Sequence, residues 1–341
     1  MTSLQIINPT NHARFERLKP VTFTGKVDTE IVTVELQADN QHPLGSDDVD
    51  ANGMWSITYS GFTQTGDRKI TAIGYDQVHQ NKGETSIRID VVVPTDGLEK
   101  ILQIADNSAI ARYRWLNRGV APKGYIKGMA VVYAIVYCKL KAGNPFAKEM
   151  AKANTGNLDK DALAHYAQKF RDLGMNNSVA GVDTLRHLFV LLIGLGMRES
   201  SGKHCEGWDV TGTPQPPTAE TAEAGLFQTS YNARHAHTLL PQLFEQYLAN
   251  PSGFVEIFKE GVTCRESQLR NAGEGKGKEF QRLSKACPAF AVEFAAIGLR
   301  NLRRHWGPIN RREAEIRPEA DAMLQEVQKI VDQFSLCPIL Q

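Results

Sequence analysis

Leu188-Phe-Val-Leu-Leu-Ile-Gly-Leu-Gly-Met197 runs directly into Arg198-Glu199-Ser200-Ser201-Gly202. A helix built on the first segment has no polar face, so it is buried all round. The abrupt turn to polar residues marks where that helix leaves the core, and Gly202 sits where it should stop. Asp183 is placed to cap its start. One carboxylic acid, Glu199, is thereby carried to the edge of an apolar interior. A carboxyl held against apolar surface has a raised pKa and becomes a general acid near neutral pH. A glutamate at a helix C-terminus also opposes the helix dipole, so its placement is mildly unfavourable without a purpose. The plainer alternative is a solvated glutamate at a helix end.

Beyond Gly202 comes a loop whose segment Thr211-Gly-Thr-Pro-Gln-Pro-Pro-Thr218 excludes regular structure. The chain then returns with Glu223-Ala-Gly-Leu-Phe-Gln228. Glu199-Ser200-Ser201-Gly202 followed by Gly225-Leu226-Phe227-Gln228 resembles the lysozyme superfamily, most closely goose-type lysozymes and soluble lytic transglycosylases. The resemblance covers about forty residues. It implies a helical fold, cleavage of the β-1,4 glycan of peptidoglycan, and Glu199 as the catalytic acid. It also implies that Gln228 hydrogen-bonds the saccharide and that Ser200 contacts it or orients the acid; the plainer alternatives are a structural bond to the loop for Gln228 and a bond to the helix's last carbonyls for Ser200. Tyr231, Asn232 and Trp208 are further substrate-binding candidates, since aromatic and amide side chains suit sugars.

Glycoside hydrolysis often uses a second carboxylate to activate water or to stabilise the anomeric cation. Family members carry acids in the loop and just after Gly-Leu-x-Gln; here the residue two after Gln228 is Ser230. Glu223 and then Asp209 are the favoured second catalytic residues, with Glu220 and Glu206 behind them. If none serves, a lytic transglycosylase mechanism, in which the sugar's own 6-hydroxyl attacks, needs Glu199 alone. Chitin or chitosan could be cut by the same chemistry, and a non-catalytic wall-binding protein is the rival class.

Around this centre, residues 98–341 read as helical. Val131-Val-Tyr-Ala-Ile-Val-Tyr-Cys138 is β-branched, yet its flanks favour a buried helix. Further helices are expected over 233–249, 288–304 and 318–334. Arg300-Asn-Leu-Arg-Arg-His-Trp-Gly-Pro-Ile-Asn-Arg-Arg312 either lines a cleft or forms an interhelical corner around Trp306. Residues 1–95 read as β: short Val/Ile/Thr-rich segments at 4–7, 21–24, 31–37, 55–59, 69–73 and 86–93 alternate and are broken by Gly, Asn and Asp. Asn52-Gly53 signals a tight turn before Trp55. The pattern resembles a bacterial immunoglobulin-like module, a spacer or adhesive unit. The expected layout is therefore multidomain: an all-β immunoglobulin-like sandwich over 1–95, then a mainly α lysozyme-like domain over 96–341, with Pro94–Gly97 as hinge.

A chain of 341 residues, 42% hydrophobic and 23% charged, is an ordinary globular composition. The first 95 residues carry a net −4 and the remainder +5, a balance that suits an anionic wall polymer in the second half. No basic run points to nucleic acid, and no apolar run is long enough to span a bilayer. The start lacks the pattern of a signal peptide, so the expectation is synthesis in the cytoplasm and delivery to the wall by a secretion machine, a phage particle or lysis. Cys138, Cys205, Cys264, Cys287 and Cys337 show no CxxC spacing. One or two disulfides are open to them, with pairing unreadable. No metal site or cofactor is expected: His235 and His237 lie two apart on a helix, and His204-Cys205 has no further ligand at a recognisable spacing.

Overall fold

A computed structural model of the chain describes residues 3–16, 19–28, 30–39, 42–62, 66–92, 95–208, 217–251, 253–334 and 336–337. They form two compact units, Met1–Thr95 and Asp96–Gln341. Pro94, the start of the expected hinge, lies outside the described residues.

The first unit contains strands β1 (Leu4–Asn8), β2 (Ala13–Glu16), β3 (Val21–Val27), β4 (Thr33–Ala38), β5 (His42–Asp48), β6 (Met54–Tyr59), β7 (Gly66–Tyr75) and β8 (Asn81–Val92). They make two sheets, ordered β1-β3-β6 and β2-β8-β7-β4-β5. Pairing is antiparallel except for β2 on β8. Alternation does the work: along β3, Val21, Phe23 and Val27 point inward and Thr22 and Lys26 outward. Phe23, Val34, Leu36, Trp55, Ile57, Ile70 and Ile89 draw both sheets onto one core. Gly25 is required there, because a Cβ would stand 2.2 Å from the Trp55 ring. The Asn52-Gly53 turn is present, with Asp50 Oδ1 accepting from the backbone of Asn52 and Met54, both at 2.8 Å. β2 and β5 are strands that alternation did not reveal. Both are sheet edges, and β5 contains Pro43 and Gly45, which an edge tolerates and a central strand does not.

The longer helices of the second unit are α1 (Thr95–Asn107), α2 (Lys123–Lys141), α3 (Val182–Ser200), α4 (Leu239–Ala249), α5 (Gly275–Ala286), α6 (Pro288–Asn301) and α7 (Pro318–Gln333). The β-branched stretch after Met129 is helix, inside α2, and Gly128–Cys138 is buried throughout. α3 is the centre: every residue from Thr184 to Met197 is buried, against α2, α6 and α7. Its start is capped by Gly181, two residues before the expected cap; Asp183 lies inside the first turn and accepts from Arg186 at 2.7 Å. Trp306 proves to be a corner residue. It is buried beside Gly298 and donates through Nε1 to Phe227 O at 2.8 Å.

Two readings need correction. Residues 98–341 are not all helical: Arg114–Trp115 and Gly119–Val120 form a small hairpin, turned by Asn117 at φ +59° and Gly119 at φ +75°. The expected helix over 233–249 is broken into a 3₁₀ turn, Tyr231–Ala236, and α4. Pro241 explains the break, since it has no N–H to continue a helix from residue 237. Instead His237 Nδ1 accepts from Leu239 N at 3.2 Å.

Cys138 is bonded to Cys337 and Cys205 to Cys264; Cys287 is a buried free thiol. Close approach in the core also depends on glycine. A Cβ at Gly194 would lie 2.2 Å from Glu315 O and one at Gly196 2.2 Å from the Tyr125 hydroxyl. Gly194→Val is therefore expected to destabilise the helical unit by about 2–3 kcal/mol, the cost of overpacking against backbone that cannot give. Urea unfolding followed through that unit's tryptophans measures it, and a change near zero would show that the contact is soft.

Candidate active site

α3 ends in a Schellman closure. Ser201 adopts the left-handed conformation at φ +55°, its N–H bonds Met197 O at 3.2 Å, and Gly202 N–H bonds Gly196 O at 3.1 Å. Ser200 is buried within the last turn. Its hydroxyl reaches Gly196 O at 3.0 Å and Leu226 O at 2.8 Å, fastening the end of α3 to the Gly225–Gln228 segment. That segment is held again from the far side. Gly225, at φ +77°, donates to Glu206 O at 2.8 Å and leaves no room for a Cβ against Ser284 O. An isolated bridge between Ala224 and Thr229 closes the turn.

Glu199 emerges half-buried where these pieces meet. Burial, and next the neighbouring Glu223 carboxylate, push its carboxyl up to about 8; the guanidiniums of Arg118, Arg311 and Arg198 oppose this without cancelling it. The arginines have reasons to be weak opponents. Arg198 donates to Glu313 Oε2 at 3.0 Å, and Arg311 donates to both Glu313 oxygens at 2.8 and 3.1 Å. These bonds, Arg311's first, bring Glu313 down to about 2, so it stays ionised and takes up much of their field. Arg118, from the small hairpin, donates to Arg198 O and to Ser201 Oγ. The hairpin is itself placed by Glu315, which accepts from Leu116 N at 3.0 Å and Tyr113 OH at 2.7 Å.

Glu199, Ser200 and Glu223 are thus brought together. Asp209 lies outside the described residues. Trp208 is half-buried. Gln228, at φ +45°, spends its amide donors on Gly225 O at 3.1 Å and Glu206 O at 3.4 Å, so it supports the segment's shape. Tyr231 is a core residue rather than a sugar platform: it is buried against Phe244 and Phe280, with the Arg234 guanidinium 3.7 Å over its ring. Asn232 is exposed and accepts from Ser230 Oγ at 2.7 Å. Glu220 is paired with Arg234, and Glu206 accepts from Gln268 at 2.8 Å. Arg118 and Glu313 were missed by sequence reasoning. Asn117-Arg-Gly119 carries a turn signal, but nothing local ties it to Glu199.

His204, Cys205 and Cys264 place three donor atoms within 4.8 Å of one another. The fold supplies the third residue that spacing did not show. Both sulfurs are joined in the disulfide, and His204 Nδ1 donates to Lys285 O at 2.9 Å, so the trio serves as a cross-link in this state.

No family model matches this sequence, and no curated protein matches it. Among solved structures, part of the chain is similar to the fibronectin(III)-like modules of Clostridium thermocellum CbhA, at 19% identity over 26% of this chain and 95% of that one, with a TM-score of 0.23. It is also similar to a family 76 glycoside hydrolase from a bovine Bacteroides thetaiotaomicron strain, at 8% identity over 96% of this chain and 98% of that one, TM-score 0.23. An endo-beta-1,4-mannanase from Thermotoga petrophila matches at 13% identity over 28% and 20% of the two chains, TM-score 0.22. At such scores the neighbours carry no argument, and the site stands on its own geometry.

The raised carboxyl has a measurable consequence. Its folded pKa of about 8 lies above the ordinary 4.5, so protonation favours the folded state. The associated stability is fully present below about pH 4.5 and is lost as pH rises to 8. Glu199→Gln, which mimics the protonated form, is expected to be more stable than the parent at pH 7 by on the order of 3 kcal/mol, and equal to it at pH 4. Thermal unfolding of both proteins across that range tests it; identical pH dependence would show Glu199 to be an ordinary solvated acid. Glu223→Gln should lower the Glu199 pKa by removing the like charge.

Proposed function

We propose that the helical unit is a glycoside hydrolase of lysozyme type, acting on the β-1,4 glycan of bacterial peptidoglycan with Glu199 as general acid. The observation that carries this reading is the half-buried Glu199 carboxyl, raised to about 8 by burial and by Glu223, at the helix end pinned to Gly225–Gln228. At pH 7 it holds its proton, so it can give that proton to the glycosidic oxygen as the bond to the anomeric carbon breaks. Glu223 is the second carboxylate: it accepts a proton from attacking water or stabilises the positive anomeric carbon. Peptidoglycan as the polymer comes from the sequence resemblance, and the guanidiniums of Arg118, Arg198 and Arg311 suit its carboxylates. Two disulfides support work in an oxidising compartment outside the cytoplasm, where the wall lies. In this reading the β unit is an immunoglobulin-like spacer, and delivery depends on a secretion machine or phage particle.

Digestion of purified peptidoglycan, followed by mass spectrometry, tests the assignment. The parent should release muropeptides with reducing ends, and Glu199→Gln should lose at least about 10²-fold in rate, the usual contribution of a general acid. Activity should fall as pH rises through about 8, where Glu199 loses its proton. Anhydro-muropeptides would assign a lytic transglycosylase and free Glu223 from a catalytic role. Peptidoglycan, chitin and chitosan all left intact would sink the enzyme and leave a wall-binding protein.

A further inference from the structure

Glu293 lies in the middle of α6 and is fully buried. Its Oε1 accepts from the Tyr247 hydroxyl at 2.8 Å and from the Lys139 ammonium at 2.5 Å. Its Oε2 has no hydrogen-bond partner among the described residues. A buried acceptor left unmade costs about 1–3 kcal/mol, more when charged, and folded proteins leave few such atoms without a use. Glu293 forms part of the wall of a cavity of about 540 Å³ between α2, α4, α6 and the turn at Ala142–Pro145. The cavity shares no lining residue with the surroundings of Glu199.

Its size falls in the usual range for a small-molecule site, about 300–1,000 Å³. Its chemistry narrows the ligand. Lys139 and Glu293 are the charged lining groups and compensate each other, so a neutral ligand fits and an ion does not. Oε2 calls for an O–H or N–H donor. Val132, Ile135, Phe254 and Ala289 offer apolar surface, while Asn144, Gln246 and Asn250 bring amides. Asn144 already uses its carbonyl to cap Phe146 and Ala147, which leaves its two N–H donors for another partner. Apolar faces beside hydroxyl-seeking amides and a carboxylate are the complement of a sugar ring, which has C–H faces and an O–H rim.

We propose that this cavity binds a neutral saccharide of one or two rings, with the Glu293 carboxylate at its wall as the acceptor of a ligand hydroxyl. The site is separate from Glu199 and stands whether or not Glu199 is catalytic. The test is a methyl NMR titration of the full chain with N-acetylglucosamine and its β-1,4 disaccharide. Val132 and Ile135 are the reporters, because both line the cavity and neither adjoins Glu199. Their methyls are expected to shift and saturate, with affinity about fivefold weaker in Gln246→Ala or Asn250→Ala, the loss of roughly one hydrogen bond. Both rim positions are exposed, so these variants keep the core intact. Glu293→Gln should weaken binding further if it folds. Reporters unmoved at about 50 mM sugar, a millimolar-range limit, would overturn the proposal, as would equal affinity in parent and rim variants. A shift caused by methylammonium but not by sugar would overturn it in favour of a cation site.

Discussion

Everything near Glu199 depends on α3 being wrapped on all sides at very short range. Gly194 lets the Glu315 backbone lie against the helix, and Gly196 admits the Tyr125 hydroxyl, which bonds Leu192 O and Ile193 O. The first contact is the more consequential. It lays the segment holding Arg311, Glu313 and Glu315 over the last turns of α3, and Glu315 then draws in the hairpin that bears Arg118. A side chain at residue 194 would displace the electrostatic surroundings of Glu199 as well as the packing. Stability and chemistry therefore share one constraint, the absence of a Cβ.

The charge balance at the site is decided by competition. Three guanidiniums near a carboxylate would ordinarily hold it ionised. Here Glu313 occupies two of them through three hydrogen bonds of 2.8–3.1 Å, and is itself the acid that ends far below its usual range. What remains of their field does not outweigh the lost hydration of Glu199 together with the like charge of Glu223. Glu199 and Glu313 are thus driven in opposite directions by their surroundings, one carboxyl raised and the other lowered. Backbone strain gathers in the same place. Asn117, Ser201 and Arg312 have φ between 55° and 59°, and they adjoin Arg118, Ser200 and Arg311 in turn. Such conformations are costly for residues other than glycine and persist where the surrounding structure imposes them.

Local signals in the sequence carry the broad layout, β and then helical, and the placing of Glu199 at a helix end. Alternation in Val21–Val27 and the turn at Asn52-Gly53 are local signals, and they gave β structure in the first unit. Ten consecutive apolar residues admit only a buried helix, so the position of Glu199 at the rim of a core followed directly. The edge strand β5 was invisible because Pro43 and Gly45 read as turn residues, and only a neighbouring strand makes an edge of them. The break before α4 was readable in principle from Pro241.

Tertiary structure alone decided which partners Glu199 has. Glu223 comes to it through the Ser200–Leu226 bond, Arg118 through a hairpin about 80 residues earlier, and Arg311 through a segment more than 100 residues later. Tyr231 and Gln228 look like binding residues in a linear reading, yet the fold spends them on an aromatic core and a turn. The same holds for pairing Cys138 with Cys337 across 199 residues, and for the unmet oxygen of Glu293. Hydrophobic periodicity is a local property, so the sequence displays it. Desolvation and Coulomb interaction depend on distance in space, and separation along the chain carries no measure of that.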